Sequence, residues 1–426
     1  MNPVAWAANE KFPESKVIEL FLHATHAGVL DFAWGVLCPG CSAFRTSNAG
    51  LRSLSDRAEC AMCLLPNGGA VGDDVEVAFT VNPAIRHIRF HDPDSLDWQH
   101  DGPWMFPSRF AGRGPGVAAA MESQQIAAGR VPGGQAHEQK LRLPPGHWFL
   151  LAPEIHSGVR FEARAGGADT ASIEISSGRV NATNDVGAGD ITLRIRNRDA
   201  RTAGWMLLPD PKASKAMRNI PPTDLPFLTG QRLIASQTFR DLFRTESIPH
   251  EIGLEVRSLS VLLTDLKGST QMYERIGDLR AFELVRQHFD VLRTIVVEQG
   301  GAMVKTIGDA VMATFHEPAP ALSAAIAMHD RVSKVGAGEL LLKIGLHDGP
   351  CIAVELNDRL DFFGQTVNIA ARVQALADAG EIVLTEHAFR ARGVGAIVDT
   401  AKLKATHGLE PLKGIEQPVP VVRLNG

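Results

Sequence analysis

RSLSVLLTDLKGSTQMYERIGD, residues 257–278, is the stretch that decides the fold of the C-terminal part of the chain. The short apolar run from Leu259 to Leu263 predicts a buried strand, so Asp265 is expected where that strand leaves the core. A carboxylate at this position can simply cap a helix that begins near Lys267. The alternative is that Asp265 binds a ligand, and a second carboxylate further along the chain favours that alternative.

This second carboxylate lies in GGAMVKTIGDAVMATF, residues 300–315. The segment predicts two short strands, 302–306 and 310–315, joined through a Gly-Asp pair that turns readily. Taken alone, Asp309 is an ordinary turn residue. Taken together, two carboxylates at strand ends of one sheet can converge on hard divalent cations, which take oxygen ligands and keep bound phosphates in the rest of their shell.

Three motifs occur in a fixed order, namely TDLKGST (264–270), KTIGDAVMATF (305–315) and DFFGQTVNIAAR (361–372). In order and spacing they resemble the catalytic domain of class III nucleotide cyclases, and the resemblance extends from Arg257 to Leu424. It implies an α+β domain of the ferredoxin-like type, which agrees with the predicted order of strand, two helices, hairpin, helix, strand and helix. It also implies a reaction in which the ribose 3'-oxygen of a nucleoside triphosphate attacks the α-phosphorus and pyrophosphate leaves.

The resemblance also assigns the metal and phosphate contacts. Asp265 and Asp309, with the backbone carbonyl of Leu266, would hold two Mg2+ or Mn2+ ions per active site. The triphosphate would be bound by backbone amides at a helix N-terminus and by one further lysine, a set made of Lys267, Gly268, Ser269, Thr270 and Lys413. Two positions depart from many relatives, since Ser269 replaces a Phe and Pro350 replaces a phosphate-binding Arg.

Base recognition would fall to Lys305 and Asp361, which match the positions that contact the base in adenylate cyclases. Adenine offers N1 as an acceptor and its 6-amino group as a donor, so this pair is complementary to adenine, whereas guanine-specific relatives typically carry Glu and Cys. Asn368 and Arg372 are four residues apart, on one face of a helix. In the family the Asn orients the ribose and the Arg neutralises charge on the α-phosphate. Without the motif before it, Arg372 is as readily an exposed partner of a neighbouring acid.

The resemblance implies a dimer as well. In the family the metal aspartates come from one subunit, and the Lys, Asp, Asn and Arg come from the other. This chain has one such domain with both sets of residues. A head-to-tail homodimer with two shared active sites is therefore implied, and a monomer should be inactive.

Composition limits the other possibilities. The 426 residues suffice for two or three domains, and the formal net charge of −5 gives no electrostatic reason to expect a nucleic-acid or membrane partner. No apolar run is long enough to span a bilayer, and the first residues lack the basic and apolar segments of a signal peptide. The expected location is the cytoplasm.

Four of the five cysteines form two C-x-x-C pairs, Cys38 with Cys41 and Cys60 with Cys63. In a cytosolic chain this spacing predicts one structural Zn2+ per chain, held by four thiolates in a zinc ribbon. A vestigial site without metal and a redox pair are the alternatives. The fifth cysteine, Cys351, lies in an apolar stretch and is expected to be a buried small residue and not a nucleophile.

The N-terminal half divides by its apolar pattern. Apolar residues recur at helical spacing between Val17 and Ala24, which predicts a helix over residues 15–27. Strand-like runs separated by turns between residues 87 and 210 predict a sandwich-like all-β domain of antiparallel strands. The predicted organisation is a helix and zinc ribbon over 1–86, a β-rich domain over 87–219, a linker over 220–254 and the cyclase-like domain over 255–426.

These patterns together predict a multidomain adenylate cyclase whose N-terminal region is regulatory. An enzyme of the same family that uses GTP is the near alternative, and Lys305 and Asp361 argue against it. A different class of alternative is a non-catalytic nucleotide sensor, in which the cyclase fold serves as a dimerisation module. A missing metal Asp or Asn/Arg pair would favour the sensor, and neither is missing. A zinc-ribbon nucleic-acid binder is the weakest hypothesis because of the acidic charge balance.

Overall fold

The computed structural model describes residues 1–37, 44–48, 74–92, 123–152, 155, 157–182, 185–210, 226–243, 254–335, 340–356 and 359–425. The described chain divides into two units. One is formed by the described residues up to Leu228 and the other by those from Thr229 onward.

The first unit begins with two helices, α1 (Pro3–Glu10) and α2 (Glu14–His26). The helix predicted over residues 15–27 is confirmed as α2, which buries Val17, Ile18, Phe21 and Leu22. The apolar spacing from Val17 to Ala24 also predicts Leu20 on the buried face, which is wrong, because this side chain is 58% exposed. Helix α1 was not predicted, although Asn2 accepts hydrogen bonds from two backbone amides at its start and Pro3 occupies its first position.

Three strands follow the helices, and their bounds are β1 (Leu30–Leu37), β2 (Phe44–Asn48) and β3 (Val75–Val81). Strand β1 pairs antiparallel with both β2 and β3. Apolar side chains of β1 and β3 face the helices, and the rings of Phe21 and Phe79 meet edge to face at 5.2 Å. The four cysteines of the predicted zinc ribbon (Cys38, Cys41, Cys60 and Cys63) lie outside the described residues.

The β-rich region of the first unit is a sandwich of two sheets. Its strands are β4 (Ala127–Val131), β5 (Ala136–Leu143), β6 (Gly146–Ala152), β7 (Ser157–Arg164), β8 (Thr170–Ser176), β9 (Arg179–Ala182), β10 (Val186–Gly187), β11 (Gly189–Asn197) and β12 (Ala203–Pro209). One sheet has the order β10-β7-β6-β12-β4 and the other β5-β11-β8-β9. Buried apolar side chains from both sheets, including Trp205 and Leu193, form one core between them.

The predicted sandwich is confirmed, and so is the alternation along β11. Ile191, Leu193 and Ile195 are buried while the residues between them face outward. The expectation of a purely antiparallel arrangement was wrong, because β10 pairs with β7 and β11 pairs with β8 in parallel. Alternation determines which face of a strand is buried, but it carries no information about the direction of the neighbouring strand.

The second unit begins near the short strand β13 (Leu228–Thr229), which two short helices follow, α3 (Gly230–Ile234) and α4 (Gln237–Leu242). Its remaining strands are β14 (Leu254–Leu266), β15 (Ala302–Ile307), β16 (Ala310–Phe315), β17 (Leu342–Leu356), β18 (Arg359–Phe363), β19 (Ile382–Thr385), β20 (Lys404–Glu410) and β21 (Val419–Asn425). Its remaining helices are α5 (Ser269–Ile276), α6 (Asp278–Glu298), α7 (Pro318–Val332), α8 (Gln365–Leu376), α9 (Glu386–Phe389) and α10 (Val394–Thr400).

One eight-stranded sheet runs through the second unit in the order β15-β16-β14-β17-β19-β21-β20, and β18 pairs with β17. All of these pairings are antiparallel except that of β17 with β19. The predicted strand, hairpin and helix order is confirmed, and the domain is an α+β fold. Boundaries of the four predicted segments stay a prediction.

Helices α6 and α7 cover one face of this sheet and supply its largest apolar core. The sequence of α6 predicts one buried face made of Phe282, Val285, Phe289, Leu292 and Val296. Phe282 does not belong to it, because this side chain is 61% exposed and Ala281 is buried in its place. Val285, Leu292 and Val296 are buried as predicted, together with His288 and Ile295. Among the described residues, no helix has both the length and the apolar character needed to cross a membrane.

Candidate active site

The two predicted metal aspartates lie at adjacent strand ends. Asp265 is the penultimate residue of β14, and Asp309 lies in the turn between β15 and β16, where Gly308 has a φ of +65° that favours glycine. Strands β14 and β16 pair directly, and the Thr264 hydroxyl accepts a hydrogen bond of 3.2 Å from the amide of Val311. This pairing brings the two carboxylates into electrostatic contact.

The electrostatics of this pair favour a bound cation. Burial raises the pKa of Asp265, the negative charge of Asp309 raises it further, and Lys343 on β17 acts in the opposite direction. The Oδ2 atom of Asp309 is buried and accepts no hydrogen bond from the described residues. A buried carboxylate oxygen without a donor, beside a second carboxylate, fits the oxygen donor set of Mg2+ or Mn2+.

Two carboxylates are a minimal protein donor set. No group of three or more His, Cys, Asp and Glu side chains suited to a metal occurs in the part of the chain that the structure describes. Any further ligands would therefore be backbone carbonyls, such as that of Leu266, or substrate oxygens. Such a site matches the hard-cation chemistry expected here and differs from a closed zinc site.

A buried histidine that the sequence analysis did not single out lies next to Asp309. His288 on α6 is fully buried, and burial lowers the pKa of its imidazole to about 4, while the charge of Asp309 acts in the opposite direction. The imidazole is thus neutral near pH 7. Its position in the apolar stripe of α6 was visible in the sequence, but nothing there pointed to Asp309.

The predicted phosphate-binding amides follow β14 directly. Helix α5 begins at Ser269, and Gly268 is its N-cap residue. The amide of Lys267 donates a 2.9 Å hydrogen bond to the carbonyl of Leu341, so it is already engaged. The prediction of phosphate contacts from this segment therefore depends on Gly268, Ser269 and Thr270.

The predicted base-recognition residues form an ion pair. Lys305 on β15 donates from Nζ to Oδ2 of Asp361 on β18 at 2.7 Å, and the amide of Phe362 donates to Oδ1 at 2.8 Å. Asp361 is 6% exposed, so its carboxylate is held rigidly, and the ammonium of Lys305 also lies 5.5 Å from the centre of the Phe363 ring. Two residues separated by 56 positions are thus brought together as predicted.

The other predicted side chains stand apart from these pairs. Asn368 and Arg372 are exposed on one face of α8, and Lys413 is exposed in the loop before β21. None of the three makes a hydrogen bond or ion pair with another candidate site residue among those the structure describes. Helix α8 lies directly on β17 at Gly345, where a Cβ atom would overlap the backbone of Gln374.

Two residues of β17 bear on earlier predictions. Cys351 is buried, and burial raises the pKa of its thiol to about 12, which confirms a buried small residue and excludes a nucleophilic thiolate near neutral pH. The carbonyl of Pro350 accepts a hydrogen bond from the Thr366 hydroxyl at the start of α8. Pro350 therefore anchors α8 through its backbone and has no side-chain donor for phosphate.

The N-terminal sequence matches a family model described as a family of unknown function (DUF5939) over residues 1–241, which is more than half of the chain. The chain belongs to the DUF5939 family. A second model, described as the adenylate and guanylate cyclase catalytic domain, matches residues 254–403. The C-terminal part of this DUF5939 protein is therefore a class III cyclase catalytic domain, as the three motifs indicated.

Curated relatives match part of this DUF5939 protein. "Adenylate cyclase" of Lachancea kluyveri is 30% identical over 173 residues, which cover 35% of this chain and 9% of the relative. "Adenylate cyclase 2" of Rhizobium meliloti is 33% identical over 130 residues, covering 27% of this chain and 36% of the relative. The chain thus spans well under two thirds of the length of these relatives.

The solved structures match about two fifths of this chain and almost the whole of their own length. The adenylyl cyclase CyaB from P. aeruginosa is 21% identical with a TM-score of 0.36, covering 41% of this chain and 96% of that one. The guanylate cyclase domain of RhGC from Catenaria anguillulae in complex with GTP is 21% identical with a TM-score of 0.36, covering 40% of this chain and 98% of that one.

Proposed function

We propose that this protein is an adenylate cyclase that converts ATP to 3',5'-cyclic AMP and pyrophosphate at sites shared by two chains. The observation that carries the choice of ATP is the ion pair between Lys305 and the buried Asp361. The Lys305 ammonium can donate to adenine N1, and the Asp361 carboxylate can accept from the 6-amino group. Guanine presents N1–H and a 6-carbonyl at those places, which are mismatched to a cation and a carboxylate respectively.

The metal site would be formed by Asp265, Asp309 and the carbonyl of Leu266. When bound, two Mg2+ or Mn2+ ions would neutralise charge on the triphosphate and make the ribose 3'-hydroxyl more acidic. The unpartnered Oδ2 of Asp309 and the raised pKa of Asp265 support this assignment.

The remaining residues of the site would bind and orient the substrate. Asn368 would fix the ribose, and Arg372 would oppose the charge that grows on the α-phosphate as the reaction proceeds. In the proposed reaction the 3'-oxygen forms a bond to the α-phosphorus, the bond to the pyrophosphate oxygen breaks, and the hydroxyl proton passes to solvent. The amides of Gly268, Ser269 and Thr270, with the ammonium of Lys413, would contact the β- and γ-phosphates.

A head-to-tail homodimer is part of the proposal. Asn368 and Arg372 face solvent within one described chain, which supports their use in the site of a partner. Large apolar side chains near the Lys305–Asp361 ion pair are also exposed, namely Ile307 (55%), Leu356 (48%) and Phe363 (45%). Exposed apolar groups around a binding residue are typical of an interface between chains. The N-terminal unit would regulate this dimer, and a structural Zn2+ held by its four paired cysteines stays a prediction.

The test is turnover of ATP and of GTP by the full chain with Mn2+ or Mg2+, beside the variants Asp309→Ala and Arg372→Ala. Cyclic AMP is expected from the parent and from neither variant. An equimolar mixture of the two should recover about a quarter of parental turnover, because half of the random dimers are mixed and each of those holds one intact site of two.

The control is Arg390→Ala, which removes the exposed arginine immediately after α9 and should keep turnover within about twofold of the parent. Cyclic GMP as the main product would overturn the assignment of ATP. No cyclic product from either nucleotide would overturn the enzyme and favour the nucleotide-sensing module. Absence of recovery in the mixture would overturn the shared site.

A further inference from the structure

The two short helices α3 and α4, together the connector, are fastened to the cyclase domain by their side chains. Gln231 donates from Nε2 to the carbonyl of His316 at 2.9 Å. Gln237 accepts a 2.8 Å hydrogen bond at Oε1 from the amide of Met303. Asp241 accepts a 2.7 Å hydrogen bond from Arg293 on α6. The connector is therefore part of the second unit and not a loose tether.

Arg240 is a connector residue that contacts the neighbours of Asp361. Its Nη2 donates to the carbonyl of Leu360, the residue immediately before Asp361. Its guanidinium also lies 5.8 Å from the centre of the Phe362 ring. Arg240 therefore contacts the residues on both sides of Asp361 along β18.

The positive charge of Arg240 interacts with the Asp361 carboxylate. Burial lowers the pKa of its guanidinium to about 10, and the negative charge of Asp361 opposes that shift more than any other charge does; Asp241 also opposes it, and Arg359 adds to it. At pH 7 the side chain thus stays a cation beside Asp361. Its Nη1 is buried and has no hydrogen-bond partner among the described residues.

The backbone near Lys305, the other member of the pair, is also held by α4. Gln237, three residues before Arg240, binds the backbone of Met303, and Met303 lies two residues before Lys305. The pairing of β15 with β16 shifts register between these two residues and resumes at Lys305, which pairs with Met312. The contact of Gln237 therefore lies at the irregularity just before Lys305. One helix, α4, therefore holds the backbone beside both members of the pair.

We propose that α4 positions the Lys305–Asp361 pair, with Arg240 as the positioning residue that sets selectivity for the base. This inference rests on the proposed function, in which that pair recognises adenine. Through its contacts with Leu360 and Phe362, Arg240 orients the Asp361 carboxylate as an acceptor, which favours the amino group of adenine over the carbonyl of guanine. Arg240 lies within the residues that match the DUF5939 family, so this family would contribute to substrate choice in the cyclase domain.

The test compares kcat and KM for ATP and for GTP in the full chain with Mn2+. Arg240→Met keeps much of the side-chain length and removes the charge. It should raise KM for ATP about tenfold and lower the ATP-over-GTP ratio of kcat/KM about tenfold, while kcat for ATP stays within about threefold. Arg240→Lys should restore part of the ratio, because it returns a cation without the planar fork.

The matched control is Arg293→Gln, which breaks the ion pair of the connector with α6 and leaves β15 and β18 untouched. The ATP-over-GTP ratio of kcat/KM in this variant should stay within about twofold of the parent. An unchanged ratio in Arg240→Met overturns the inference, and so does an equal loss for both nucleotides, since a merely structural role would weaken both alike. If Arg240→Met does not fold, Gln237→Ala decides by the same ratio, with an expected fall of about threefold.

A parent without turnover would refute the proposed function and not this inference. Calorimetric binding of 3'-deoxy-ATP and 3'-deoxy-GTP to the parent and to Arg240→Met then measures the same selectivity. A ratio of dissociation constants that falls about tenfold in the variant supports the positioning role, and an unchanged ratio overturns it.

Discussion

The two units differ in how many of their described ionisable groups have a shifted pKa. The sandwich of the first unit packs apolar residues such as Trp205, Leu193 and Phe161 between its sheets. Among the described groups whose pKa departs from its ordinary value, all but the N-terminal amine lie in the second unit. Perturbed pKa values are typical of functional sites, and exposed ion pairs such as Glu298 with Arg331 also shift them. Both units bury acidic side chains, among them Asp74 and Glu76 in the first and Asp348 in the second. The units therefore differ in how strongly their ionisable groups are perturbed and not in whether they bury charge.

Replacing one metal carboxylate should separate activity from stability most clearly. Asp265→Asn is expected to lower turnover on the order of 1,000-fold, because the site loses a charged ligand. In the absence of metal it should also raise the free energy of unfolding at pH 7 by no more than about 1 kcal/mol, since the repulsion from Asp309 is removed and the partly exposed carboxylate is screened by solvent.

Turnover assays and urea unfolding with a chelator present would check both parts. The control is Asp330→Asn on α7, an exposed carboxylate paired with Lys334, which should change neither quantity appreciably. Retained turnover in Asp265→Asn would contradict the metal assignment, and a marked loss of stability would contradict the repulsion between the two aspartates.

A cavity in the sandwich should lower the stability of the first unit. Leu193→Ala removes a fully buried side chain between the two sheets and should lower the free energy of unfolding of the first unit by about 3 kcal/mol. Arg196→Gln on the outward face of the same strand should change it by less than about 0.5 kcal/mol. Calorimetric unfolding would detect the difference, and equal effects of the two substitutions would argue against the described core.

A smaller effect should appear as a pH dependence in the second unit. His347 forms a 2.9 Å hydrogen bond with the Thr385 hydroxyl. Burial lowers the pKa of its imidazole to about 4. The charge of Asp348 opposes this shift, and His387 adds to it. The pKa of His347 is lower in the folded protein than in the unfolded chain. Its contribution to the free energy of unfolding is therefore fully present above about pH 6.5 and is lost as the pH falls towards 4.

Between pH 7 and pH 5 the loss should amount to about 2 kcal/mol. His347→Gln keeps a hydrogen-bonding group without a titrating ring, so its unfolding free energy should fall by correspondingly less over the same range. Denaturant titrations of both proteins at the two pH values measure the difference. Identical pH dependence would show that His347 is protonated as easily in the fold as in the unfolded chain.

The sequence predicted the second unit from β14 to α8 because its motifs coincide with strand ends, whereas the strands and helices after α8 were not predicted. Asp265, Lys305, Asp309 and Asp361 lie where the strand pattern and the resemblance put them. Phe282 was misassigned because an apolar face of a helix leaves neighbouring positions almost equivalent, and the sheet selects one of them. Arg240 could not be predicted, since its contact with Leu360 spans 120 residues and leaves no local pattern.

In the first unit the strand-like runs separated by turns were enough to predict a sandwich, but the parallel neighbours of β7 and β11 were not foreseen. Strand direction depends on where the chain returns to the sheet, which is a property of whole connections. Helix α1 shows the opposite case, because its Asn-Pro start was visible and was overlooked.

The docked connector changes where a catalytic fragment of this protein should be cut. The cyclase family match begins at residue 254, so a fragment cut by homology keeps every motif and loses Gln231, Gln237 and Arg240. A fragment that begins at Thr229 keeps all three, together with the Thr229 hydroxyl that caps α3. The piece of chain that homology recognises and the piece that carries its own supports are therefore different lengths.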